Sequence, residues 1–187
     1  MLFKIFKNIF LTTFFFLYLT SNSLSEITSD KWSTRCSEDK KTCVAVIKSE
    51  IKNKDNKMQT IATAYVQIGS SKQKKMNLIN KDDQTYKLSE ENKNVPILFV
   101  RLPLNIDLRK KALIIVDDKK LGNLEYTHCL VDGCMTSVVL NNNDIIDLFK
   151  KGKTMTIIMG VYNASQNINI QFPLKNFSKS YTKLIKN

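Results

Sequence analysis

Two close pairs of cysteines constrain this chain more than any other feature of its sequence. Cys36 and Cys43 stand in CSEDKKTC, and Cys129 and Cys134 in CLVDGC, with six and four residues between the partners. Zinc ligands commonly lie two to four residues apart and draw on several imidazoles or thiolates. Here the spacing is wide and His128 is the only histidine, so no metal site is expected. A thioredoxin-like redox centre requires C-x-x-C at a helix start, which is absent. An even cysteine count in an exported chain reads as disulfides. Four cysteines allow three connectivities. The local pairs Cys36–Cys43 and Cys129–Cys134 are expected, because each spans one short excursion, the second over the tight-turn dipeptide Asp132-Gly133. Loops this short stabilise by about 2 kcal/mol each on the chain-entropy account.

Export is indicated by the first 25 residues. Lys4 and Lys7 precede an apolar run from Ile9 to Leu19, and small polar residues follow, with Ser23 and Ser25 placed ahead of a scissile bond before Glu26. That is the layout of a secretory signal peptide. The alternative, a membrane anchor, requires about 20 apolar residues, roughly twice what the run supplies. Residues 26–187 are then expected to form one domain, since the chain is too short for two ordinary ones.

This remainder is punctuated by β-branched and aromatic runs: TCVAVIK, TIATAYVQIG, PILFVRLPL, ALIIV, TSVVL and TMTIIMGVY. NINIQFPL alternates, with Ile168, Ile170 and Phe172 on one face and Asn167, Asn169 and Gln171 on the other, as in a strand buried on one side. Glycine and proline are scarce, so asparagine and aspartate are expected to carry the turns. Ser89 to Asn94, SEENKN, reads as a long exposed loop. Two segments break the strand rhythm. Asn143 offers an N-cap for a short helix near 143–151, ended by lysines and Gly152. Phe177, Tyr181, Leu184 and Ile185 fall at i, i+4, i+7 and i+8, one apolar face of a C-terminal docking helix. Lys175, Lys179, Lys183 and Lys186 make the rest of that helix basic, so a membrane-surface helix is the other reading. The fold expected is mainly β, a sandwich or partly open barrel with these two helices.

The formal charge is +12, carried mostly by lysine, with arginine only at Arg35, Arg101 and Arg109. Few guanidinium groups are then present for bidentate phosphate contacts, so a nucleic-acid partner is not expected. A general Lys/Asn/Ile bias explains the charge as well as selection for an anionic partner does. No catalytic residues are expected: His128 has no G-x-S-x-G serine to serve, and Asp82-Asp83 and Asp117-Asp118 read as turn residues. No phosphate-cradling glycine loop or nucleotide fingerprint occurs, so no cofactor is expected. Trp32 and Tyr126 are the candidate ligand-contacting aromatics, although a lone tryptophan near a disulfide also reads as core.

In order, these landmarks resemble the invasion-associated locus B family of exported proteobacterial proteins. Trp32 and Cys36 in WSTRC, with Cys43, are similar to its opening element, and PILFVRLPLNIDL to its mid-chain segment. YTHCLVDGC resembles its tyrosine and cysteine pair, and FPLKNFSKSYTKL its closing strand and helix. Asn176 stands where the family usually has glycine, and Met135-Thr136 where a small aliphatic pair is usual. The resemblance implies a secreted, disulfide-bearing β-sandwich, periplasmic or attached to the outer envelope, with no catalytic site. The function expected is a non-catalytic envelope protein contacting protein or anionic polymer, with at most peripheral membrane contact. The alternative is a periplasmic protein that binds a small molecule or glycan.

Overall fold

The structure, a computed structural model, describes residues 30–39, 41–80 and 85–186, with side chains throughout except at 71–80 and 85–92. The expected signal peptide, Glu26 and Asp82-Asp83 lie outside the described residues.

Ten strands form two antiparallel sheets. The strands are β1 (Ser33–Cys36), β2 (Cys43–Lys52), β3 (Met58–Asn80), β4 (Thr85–Leu102), β5 (Ala112–Val116), β6 (Lys119–Leu124), β7 (Tyr126–Leu130), β8 (Gly133–Val139), β9 (Thr154–Gly160) and β10 (Asn167–Pro173). The larger sheet has the order β1-β2-β3-β4-β8-β7 and the smaller β10-β9-β5-β6. Alternation decides which residues meet between them. In β5, Ala112, Ile114 and Val116 are buried while Leu113 and Ile115 are half-buried, and in β9 Met155, Ile157 and Met159 point inward. The larger sheet answers with Ala45, Ile47, Ala64, Val66, Leu98, Val100 and Leu102, and all of these belong to one apolar core. The expected β10 alternation holds for Ile170 and Phe172, whereas Ile168, at the start of the strand, is 40% exposed.

The SEENKN segment is a strand, not a loop. Past Gln67 and Ile97, β3 and β4 continue as a two-stranded ladder out to Asn80↔Thr85, with a register shift between Leu78 and Asn80. Polar composition concealed this because hydrophobic periodicity is the sequence signal for a strand, and Ser89–Asn94 has no apolar residue to carry it.

Helix α1 (Asn143–Lys151) follows β8 and helix α2 (Phe177–Lys186) ends the fold. The N-cap of α1 is Asn142, one residue before the expected Asn143; its Oδ1 accepts from the Asp144 amide at 2.7 Å. The two asparagines are chemically equivalent caps, and only the backbone geometry chooses between them. In α2, Phe177, Tyr181 and Leu184 are buried, together with Ser180, while Ile185 is 53% exposed. This is a docking helix, packed against β1, β2, β3 and α1. Turns fall to asparagine and aspartate, as the scarcity of glycine and proline suggested: among the described residues the non-glycine positions in the left-handed region are Asn56, Asn105, Asp117, Asn163 and Asn176.

Candidate functional site

Burying one face of α2 leaves its other face to solvent, and the sequence fills that face with cations. Lys179 and Lys183 lie one turn apart, Lys186 follows, and Lys150 arrives from the last turn of α1. The four line a groove of about 760 Å³ between the helices. Its remaining lining is polar, from Asn176, Ser178 and Thr182, beside the buried Leu174. Lys150 is held in place, with Nζ 5.3 Å from the Tyr181 ring centroid and 3.8 Å from Asp147. Burial pushes the Tyr181 hydroxyl above its ordinary pKa, so the ring stays neutral beneath that ammonium. Among the described residues no carboxylate pairs with Lys179, Lys183 or Lys186. The first turn of α2 carries no acidic residue either.

Both cysteine pairs are disulfides, Cys36–Cys43 and Cys129–Cys134, and each links residues directly opposite one another in an antiparallel pair. Trp32 is a core side chain, 1% exposed. Its ring meets Phe177 edge-on at 5.0 Å and its Nε1 donates to the Pro173 carbonyl at 3.0 Å. Tyr126 is half-buried at the start of β7, and burial, with the Asp107 charge, raises its pKa. The strand order puts Trp32 beside β1 and Tyr126 on β7, at opposite edges of the larger sheet, so the structure does not bring the two into one pocket. His128 is exposed on β7 and its Nδ1 lies 3.1 Å from the Thr127 hydroxyl. Among the described residues no group of three or more His, Cys, Asp or Glu is placed to hold a metal ion. No helix among them is long and apolar enough to cross a membrane.

Sequence reasoning missed Asp107. This carboxylate is buried, with its side chain 4% exposed, in the connection between β4 and β5. Arg109 grips it through Nε at 2.8 Å and Nη2 at 3.0 Å, and holds its carboxyl below the ordinary range. The Asp107 amide donates to the Gly160 carbonyl at 2.9 Å, fastening the connection to the end of β9. The i, i+2 spacing of Asp107 and Arg109 was the available signal, but a single acid-base pair is common in loops.

The sequence profile of the invasion associated locus B (IalB) protein family matches residues 32–185, from the buried tryptophan to the last turn of α2. The chain belongs to the IalB family. Among solved structures it is similar to the crystal structure of invasion associated protein B from Bartonella henselae, with a TM-score of 0.60 and 20% sequence identity. That match covers 83% of this chain and 92% of the other, and shows that the two share a fold. No sequence among the curated proteins matches this one. The landmarks that carried the resemblance become structural parts in this IalB-family chain. Trp32 anchors the N-terminal edge, the two disulfides clamp hairpin and edge strand, and Asn176 takes φ +65°, the left-handed conformation for which a glycine is the usual residue.

Proposed function

We propose that this IalB-family protein is an exported, non-catalytic component of the cell envelope that contacts anionic envelope material through the lysines of the α1–α2 groove. The observation that carries this reading is the row Lys179, Lys183 and Lys186, exposed along one helix face without paired carboxylates among the described residues. Two disulfides fit an oxidising compartment. A periplasmic, secreted or outer-envelope location, a partner that is protein or anionic polymer, no nucleic-acid partner and at most peripheral membrane contact complete the reading. The hydroxyls of Ser178 and Thr182 and the amide of Asn176 beside those lysines support the second reading, a periplasmic protein that binds a small molecule or glycan.

Fractionation of cells making the protein tests this. Charge-based contact predicts sedimentation with the envelope near 0.1 M salt and release toward 1 M, as the screening length falls from about 10 to about 3 Å. Retention survives His128→Ala and drops in Lys179→Gln/Lys183→Gln. A hydrolytic activity abolished by His128→Ala overturns the reading, as does retention indifferent to salt.

A further inference from the structure

We infer that the groove between α1 and α2 is a binding site for an anionic saccharide unit, one that carries phosphate or carboxylate on a sugar ring. The inference rests on the envelope-contact reading and names the ligand class of that same site.

The side chains left outward choose between a saccharide and a lipid surface. A helix that lies in a membrane interface needs a free apolar face. In α2 that face is spent on the core: Phe177 is fully buried, and Tyr181 and Leu184 are nearly so. What remains outward is mostly cationic and polar, with Ile185 alone among the large apolar residues left exposed, and it borders an open groove of about 760 Å³. The lining matches a charged sugar in three respects. Lys179 and Lys183 stand at i, i+4, with stems about 5–6 Å apart, so both reach one anionic group or two adjacent ones. Ser178 and Thr182 repeat the same spacing with hydroxyls, and Asn176 adds an amide, which together can donate to and accept from ring hydroxyls. Lys150, steadied over Tyr181, presents one ammonium from the opposite wall with little ordering left to do.

The test is calorimetric titration of the oxidised, exported protein with trigalacturonate as the carboxylate probe and glucose 1,6-bisphosphate as the phosphate probe. Maltotriose is the neutral control, and vesicles of equal parts phosphatidylglycerol and phosphatidylcholine are the lipid control. Either anionic probe should bind and maltotriose should not. Lys179→Gln/Lys183→Gln should weaken binding roughly tenfold, whereas Lys119→Gln/Lys120→Gln, which removes the same charge from exposed β6, should change it less than about twofold. Equal losses in the two double variants would make the contact diffuse and overturn the site while leaving envelope contact standing. Silence of both anionic probes, or binding to vesicles alone, overturns the saccharide assignment in the same way. Loss of salt-dependent envelope retention as well would overturn the broader reading with it.

Discussion

At Gly133 the chain enters β8 with φ +142°, and a Cβ built there would sit 2.3 Å from the Leu102 carbonyl oxygen of β4. Backbone cannot swing aside as a side chain does, so Gly133→Ala must shift two paired strands as well as bear a strained φ. The expected loss is about 3 kcal/mol in urea unfolding of the oxidised protein. Gly122 is the control, with φ +145° and nothing within 4 Å of its Cβ position. Its alanine variant bears the strain alone, about 1 kcal/mol. Equal costs at the two sites would mean that strand approach at Gly133 is unimportant. Asp107 supplies a pH signature at the same scale. Its hydrogen bonds and charge contact with Arg109 lower its pKa in the fold. A depressed acid contributes stability that is fully present above its unfolded pKa and lost as pH falls through the folded value. Stability should therefore decline below the ordinary carboxylate range, near pH 4 and under, and Asp107→Asn should flatten part of that decline. Unfolding midpoints of the two proteins at about pH 5 and about pH 3 measure it, and parallel declines would dismiss the pairing.

Among the elements, the Cys129–Cys134 hairpin is where stability depends on compartment. Its two-residue tip is Val131-Asp132, with Leu130 paired to Gly133, and Asp132 reaches across to pair with Arg101 of β4. Cys129 is exposed while Cys134 is 3% exposed, so Cys129→Ser removes the bond without burying a new hydroxyl. It should cost about 2 kcal/mol in oxidising buffer and leave the reduced protein unchanged; a thermal scan in each buffer reads this directly. The hairpin was legible in the sequence because cysteine spacing and Asp132-Gly133 act locally, although the turn falls one residue earlier than that dipeptide suggests. The docking face of α2 and the β5 and β9 strands were legible for the same reason: their periodicity records which face is buried. The strand at Ser89–Asn94 was not legible, since six polar residues in a row carry no apolar rhythm. The candidate site was half legible. Lysines at i, i+4 marked the outer face of α2, but the approach of Lys150 depends on α1 packing against α2, a contact between residues such as Phe149 and Phe177 that are far apart in sequence.

For the molecule as a whole, the decisive contact joins the two ends of the described fold. Trp32 donates its amide to the Lys175 carbonyl at 2.9 Å and its Nε1 to that of Pro173, while Thr34 reaches the Ser180 carbonyl at 3.3 Å. Phe177 sits at the centre, 5.0 Å from Trp32, 5.3 Å from Phe149 and 5.8 Å from Tyr181, and is fully buried. One ring thus ties the N-terminal edge of the larger sheet to both helices. Phe177→Ala should cost about 3–5 kcal/mol, the usual range for deleting a buried aromatic ring. Trp32 is the only tryptophan, so its emission reports this cluster, while far-ultraviolet circular dichroism reports the sheets. If the cluster and the two sheets are one cooperative unit, both signals move to the same lower midpoint in the variant. An earlier transition in Trp32 emission alone would instead make the helix cap a separate unit. The lysine groove would then lie on the part of the molecule that opens first, and saccharide binding would weaken before the sandwich unfolds.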